Sequence, residues 1–259
     1  MSNQLLRVKN SFRAPLFRAL KWRKEKFHCP VCDYRGPFID KKAKKKIRSR
    51  LNAKCPSCSA MERHRFQWFV LQKVLAGVDL GSLSVLHFAP EPCLEDRLRA
   101  QCGRYVTTDL LRTTVDCQFD VTAIPFDDER FDLVLNSHVL QYVEDDLRAV
   151  SELSRILKPG GMALLPVPLL HLKTVAMEVP DPILGMYNEP GPDYFDRYEA
   201  FFERVDLHYS SAEDDQYHFY LELLSAAEFP LKLKDMKYGD IIPVCYKGKT
   251  LSAKWHCLA

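Results

Sequence analysis

The chain has 259 residues, of which 47% are hydrophobic and 27% charged. That is enough apolar material for a buried core, while the longest apolar runs fall well short of the roughly 20 residues of a membrane span. Residues 1–27 are interrupted throughout by Lys and Arg and lack the unbroken apolar stretch of a secretory leader. Nine cysteines, four of them in two Cys-x-x-Cys pairs, suit a reducing compartment with a metal site better than a disulfide framework, so the cytoplasm is the expected location. The net charge of +3 conceals an asymmetry: residues 1–75 hold 20 Lys and Arg against 4 Asp and Glu, and the remainder holds 17 against 30. Three readings fit this split: a basic arm for an anionic partner, two modules that attract one another, or a solvated basic face.

In chain order, residues 1–26 carry Leu5, Val8, Phe12, Leu16 and Leu20 at the spacing of one helix face, interrupted by Pro15, with no acid before Glu25. This basic helix or arm could dock on its own domain, lie on an anionic surface or serve as a targeting peptide. Residues 27–60 form the next unit. Its pairs Cys29/Cys32 and Cys55/Cys58 lie 22 residues apart, and two such turns can supply the four corners of a tetrahedral zinc site. With every corner a protein thiolate, no position is left for a reactive water, so the expected metal role is structural. Between the pairs, Lys41, Lys42, Lys44, Lys45, Lys46, Arg48 and Arg50 offer a grip on phosphates. RNA contact through Lys41 to Arg50 stands beside a solvated or docked loop, because this run lacks the aromatics that stack on unpaired bases.

From residue 61 the pattern turns helical, with Phe66, Phe69, Val70, Lys73 and Val74 on one face and Gly77 as the stop. Strands are predicted at 84–89, 104–109, 117–121, 131–136 and 162–167, and helices at 94–100 and 145–157. Short apolar strands alternating with helices predict an α/β fold with a parallel sheet covered on both faces. The segment 171–195 is rich in proline and reads as an insert or lid.

"VLHFAPEPCLEDRL", "YVTTDL" and "FDVTAIPFDDERFDLVLNSHVLQYVEDDLRAVSELSRILKPGGMALLPVPL" together resemble the core of class I S-adenosylmethionine-dependent methyltransferases of the type 11 kind. The preceding "CPSCSAMERHR" resembles a bacterial subgroup that joins a cysteine-rich knuckle to that core. The likeness is good over about 27–170 and poor over the last 90 residues. It implies a doubly wound Rossmann-like methyltransferase sheet at 61–259 behind a small zinc-ribbon-like module. By the same resemblance, His87, Phe88, Ala89, Pro90 and Glu91 would form the cofactor loop, Asp109 would meet the ribose, and Asp120 and Val121 the adenine. Asn136, Ser137 and His138 would face the departing methyl group. The loop has no glycine, which suits a cofactor without phosphates better than a dinucleotide.

These readings imply methyl transfer from S-adenosylmethionine to a small molecule or saccharide. The alternatives are an RNA or protein methyltransferase guided by the basic zinc module, and a non-catalytic binding protein. His138 is the first candidate for a general base and His218 the second. "KPGG" at 158–161 is expected merely to reverse the chain.

Overall fold

In the computed structural model, which describes residues 13–42, 49–224, 229–234 and 236–248, the chain forms two compact bodies. One gathers the residues up to Gln72, Glu91–Leu94 and Tyr209–Asp240; the other gathers Lys73–Pro90, Glu95–His208 and the chain from Ile241. Among the described residues, no helix is long and apolar enough to cross a membrane. Residues 1–12 of the basic arm and Lys44, Lys45, Lys46 and Arg48 of the basic run lie outside the described residues.

The larger body is built on a six-stranded sheet. Its strands are β1 (Ser84–Phe88), β2 (Arg104–Thr108), β3 (Phe131–Asn136), β4 (Leu157–Leu164), β5 (Arg204–Tyr209) and β6 (Ile241–Tyr246), in the order β2-β1-β3-β4-β6-β5. Both β2 and β3 pair parallel to β1, β4 is parallel to β3, and β6 runs antiparallel to β4. β3 and β6 are buried at every position, as near-continuous apolar strands are when both sheet faces are covered. The chain leaves β1 toward β2 on one side and returns to β3 on the other, so β1 marks the switch point where ligands of open α/β sheets collect. The helices α1 (Glu62–Val74), α2 (Pro92–Gln101) and α3 (Asp146–Arg155) divide between the bodies, with α1 almost wholly in the smaller one. α3 starts where the Asp145 side chain accepts the Arg148 amide at 2.9 Å, and it buries Ala149, Val150 and Leu153.

Two local expectations change. Residues 117–121 make no strand, only a single bridge from Cys117 to Thr108, because the Asp116 carboxylate takes the Thr107 amide and hydroxyl, each at 2.8 Å. The segment 158–161 does not reverse the chain but bulges within β4, since Phe131 pairs with Leu157 and Leu133 with Met162. Gly160 takes φ +72° there, and a Cβ at Gly161 would stand 2.9 and 3.0 Å from the carbonyl oxygens of Lys158 and Asp132.

The smaller body holds an antiparallel five-stranded sheet whose order is Lys232–Lys234, Lys237–Tyr238, Leu221–Leu223, Arg50–Lys54 and Ile39–Lys41. Residues 209–240, expected within one domain spanning 61–259, therefore pair with the cysteine-rich segment instead. The tie is polar as well as apolar. Asn52 donates to the Glu222 carboxylate at 3.0 Å, and the fully buried Arg65 donates to the carbonyls of Ala53, Ala60, Tyr217 and His218 at 2.6–3.1 Å. The Arg65 guanidinium also lies 4.4 Å from the Phe38 ring centroid, a cation–π contact. One side chain thus closes a loop of some 150 residues. Arg65→Met would fit the space while orphaning four carbonyls, and it should lower stability by about 3 kcal/mol or more in urea unfolding. A loss below about 1 kcal/mol would show that the carbonyls find other donors.

Candidate functional site

Two places in the molecule concentrate functional chemistry. The first is the thiol cluster of the smaller body. Cys29 sits at the end of the strand Phe27–Cys29, which pairs with Tyr34–Gly36, and the turn between them carries Cys32. The Asp33 amide donates back to the Cys29 carbonyl at 2.8 Å, and the Ser59 amide to that of Cys55 at 3.0 Å. Asp33 and Ser59, each four residues after the first cysteine of its pair, are both left-handed, with φ 56° and 68°. The two knuckles are therefore the same turn built twice.

They face one another closely. Cys29 and Cys58 sulfurs are 3.6 Å apart, as are those of Cys32 and Cys55, and all four lie within 4.8 Å. Zinc–sulfur bonds of about 2.3 Å require tetrahedral edges of about 3.8 Å, which these distances bracket. Four thiols this close cannot all ionise unaided: contact with Cys32, then Cys55, together with burial pushes the Cys29 thiol up. Contact with Cys29 and the other cysteines does the same to Cys58. A divalent cation reverses that penalty, so the donor set fits a structural metal.

The second place is a cavity of about 980 Å³ in the larger body, at the carboxyl ends of β1, β2 and β3. Ligand pockets run to roughly 1,000 Å³, so it has room for a nucleoside-sized group and a second small molecule. Phe88 and Ala89 bring β1 to its wall, Asp109 follows β2, and His138 follows β3. Ala89 has φ 45°, a left-handed conformation that glycine adopts freely and alanine at a cost. Its amide bonds to the Thr108 carbonyl at 2.8 Å, and Arg112 donates to the Pro90 carbonyl at 3.0 Å. The turn keeps a glycine geometry without the glycine.

Each acid on the wall is pinned by its own turn. Asp109 Oδ1 accepts the amides of Leu111 and Arg112, both at 2.9 Å, while Oδ2 stands 3.9 Å from the Arg112 guanidinium. Asp120 Oδ1 accepts the Thr122 amide at 2.8 Å and hydroxyl at 2.7 Å. Phe119 and Val121 flank Asp120 on the same wall. His138 is also left-handed, at φ 57°; its amide donates to the Pro166 carbonyl at 2.8 Å, and Gln141 donates to its carbonyl at 2.9 Å.

Of the residues singled out in the sequence, Phe88, Ala89, Asp109, Asp120, Val121 and His138 line this cavity, while His87, Pro90, Glu91, Asn136 and Ser137 do not. His87 points to the other face of the pleat from Phe88, fully buried, with Nδ1 2.6 Å from the Tyr105 hydroxyl. Asn136 and Ser137 are buried at the end of β3, and neither the Asn136 amide nor the Ser137 hydroxyl has a hydrogen-bond partner among the described residues. Such orphaned groups beside a crevice are what a polar ligand would satisfy. His218 lies in the smaller body, fully buried. Its ring nitrogen Nε2 is 3.0 Å from Glu222, and its ring packs against Phe27 and Tyr220 with centroids at 4.6 and 4.4 Å. It does not line the cavity.

Several lining residues carried no sequence signal: Phe119, Tyr142, the acidic start of α3 (Glu144, Asp145, Asp146) and Tyr187. Tyr187 belongs to the proline-rich insert, which is no loose loop. Asn188–Glu189 pairs antiparallel with Val175–Ala176, and the Tyr187 amide donates to the Gln141 carbonyl at 2.9 Å. The insert is fastened at Asp146, whose Oδ2 accepts from Arg197 at 2.5 Å, from the Tyr194 hydroxyl at 2.6 Å and from Asn188 at 3.3 Å. Burial and the adjacent Asp146 charge push the Tyr194 phenol well up, so it stays a donor.

Residues 93–165 match the family described as a methyltransferase domain. A demethylmenaquinone methyltransferase of Clavibacter sepedonicus is 41% identical over 22% of this chain and 28% of its own length, so the chain spans under a third of that relative. Among solved structures, an S-adenosylmethionine-dependent methyltransferase from Mesorhizobium loti is 12% identical, with a TM-score of 0.47 over 70% of this chain and 97% of that one. The N-methyltransferase NodS of Bradyrhizobium japonicum is 14% identical, with a TM-score of 0.46 over 73% and 97%. Residues 93–165 are thus similar to a methyltransferase domain, and in the larger body they sit on an open α/β sheet with a crevice at its switch point.

Ala89 offers a direct check of the turn. Ala89→Gly should raise stability by up to about 1 kcal/mol in chemical denaturation, because it removes the left-handed penalty. Ala89→Val, β-branched in the same conformation, should lower it by at least as much. Equal stability of all three would mean that the turn is not held left-handed.

Proposed function

We propose that the chain is an S-adenosylmethionine-dependent methyltransferase acting on a small molecule. The observation that carries this reading is the charge and size of the cavity. Five carboxylates (Asp109, Asp120, Glu144, Asp145 and Asp146) and one guanidinium (Arg148) line a space of about 980 Å³. Such a wall attracts a cationic sulfonium and repels a polyanion, which favours a small acceptor over RNA. The curated relative acts, by its name, on demethylmenaquinone, which also points to a small acceptor.

In this reading Asp109 binds the ribose hydroxyls through Oδ2, its other oxygen being held by Leu111 and Arg112. Asp120 takes the adenine amino group, with Phe119 and Val121 as the apolar walls of the ring. When bound, the sulfonium group supplies an electrophilic methyl for an in-line displacement, so alignment of the acceptor provides much of the rate. Tyr187 with the fastened insert excludes water from the acceptor. His138, held by Pro166 and Gln141, receives the proton of an oxygen acceptor. The four cysteines hold a structural zinc ion in the smaller body.

Two expectations separate these roles. Asp109→Ala should weaken binding of S-adenosylmethionine by about 1.5–3 kcal/mol in titration calorimetry, the range of a hydrogen bond to a charged group. His138→Asn keeps a residue that tolerates positive φ, so it should leave cofactor affinity near the parent value and lower kcat by about 100-fold or more. No heat and no thermal shift at millimolar cofactor would defeat the enzymatic reading.

Metal content is checked independently. Purified protein should contain about one zinc per chain, and Cys55→Ser should lower both metal content and melting temperature, since a structural zinc contributes folding free energy directly. Elemental analysis without zinc, on protein never exposed to chelators, would remove the metal from this account.

A further inference from the structure

The described part of the basic N-terminal segment has a docked side and an outward side. Residues 13–20 are helical, and two residues fasten the segment to the cysteine-rich module. The Arg13 guanidinium donates to the Pro56 carbonyl at 3.0 and 2.8 Å, and to the Ser59 hydroxyl at 3.3 Å. Lys24 donates to the Phe38 carbonyl at 2.9 Å and to Asp40 at 2.6 Å. Ala14 is buried beneath the helix.

With the helix held in this way, its apolar residues still face outward. Leu16 is 62% exposed, Leu20 69% and Trp22 64%. Leu16 and Leu20 are four apart and share one face, with Trp22 just beyond the helix end. The cations Arg18, Lys21, Arg23 and Lys26 are exposed among them, with Glu25 the only acid in residues 13–26. Arg23 lies 4.8 Å from the Trp22 ring centroid. Large apolar side chains left in water on a helix that its own module already holds mark a surface for something else.

Leucine and tryptophan interleaved with lysine and arginine fit a surface that is anionic outside and apolar beneath, which is a bilayer interface. Each cation near an anionic leaflet adds to the attraction, and the aliphatic side chains gain by entering the acyl boundary. A second copy meeting this same face would bring like charge against like. A nucleic acid would satisfy the cations but leave Leu16 and Leu20 in water. We propose that residues 13–26 are an interfacial anchor that seats the protein on an anionic phospholipid surface, with Leu16, Leu20 and Trp22 entering the headgroup–acyl boundary. This anchoring is independent of methyl transfer.

The test is co-sedimentation of the full chain with vesicles of phosphatidylcholine alone, or with about 30% phosphatidylglycerol, at about 150 mM salt. The protein should sediment with the anionic vesicles only, and less as salt rises. The variant L16S/L20S/W22S keeps every charge and should lower the partition coefficient about tenfold or more, with an unchanged melting temperature. R18Q/K21Q/R23Q keeps the apolar residues and should abolish the preference for anionic lipid. Failure to sediment with anionic vesicles, or an apolar variant that partitions like the parent, overturns the proposal. So does retention on single-stranded RNA that exceeds vesicle binding and survives L16S/L20S, because that assigns the surface to a nucleic acid.

Discussion

A parallel sheet cannot close the crevice at its own switch point, because the connections that leave the central strand and its neighbour diverge to opposite faces. In the larger body that strand is β1, flanked by β2 and β3. Everything that faces the cavity depends on how the chain turns away from the carboxyl ends of these strands. Ala89 turns it sharply through a left-handed residue, His138 does the same after β3, and Asp109 folds its own carboxylate into the turn after β2. Left-handed alanine and histidine each cost free energy, and such strain persists where the surroundings over-determine it. Here the surroundings are backbone hydrogen bonds to Thr108 and Pro166 on neighbouring segments.

The same economy of means recurs in the insert and in the smaller body, where a few buried polar groups fix long stretches of chain. Asp146 fastens residues 188–197 by accepting three donors on one oxygen. Arg65 joins the second knuckle, the strand Arg50–Lys54 and residues 217–218 through four carbonyls. Burying an ion is costly unless its hydrogen bonds are met, and in both cases they are. These contacts hold their bodies to one arrangement more firmly than apolar packing would, because an apolar contact tolerates sliding and a saturated polar one does not.

The divided charge has a structural counterpart. Residues 1–75 carry 20 Lys and Arg against 4 Asp and Glu. Part of that charge is spent internally: Arg13, Lys24 and Arg65 all donate to backbone carbonyls. The acidic remainder supplies the five carboxylates of the cavity wall. Composition alone would treat all of this as surface.

The sequence by itself determined the parts governed by local rules. Alternating short apolar strands and helices foretold the parallel sheet, and β1, β3 and α3 fall within a residue or two of the expected ranges, because periodicity and capping are read over a few neighbours. The paired cysteines announced their cluster, since two-residue spacings constrain a turn directly. Asp109 and His138 stood at the ends of predicted strands and Asp120 came from the family resemblance, and all three line the cavity. Only the tertiary structure decided that residues 209–240 complete the cysteine-rich module, that His218 packs there with Glu222, and that His87 turns away from the cavity while Tyr187 turns toward it. Those outcomes rest on contacts between residues as many as 170 positions apart, such as Asn52 with Glu222, and no short window of sequence carries the register or direction of such a pairing.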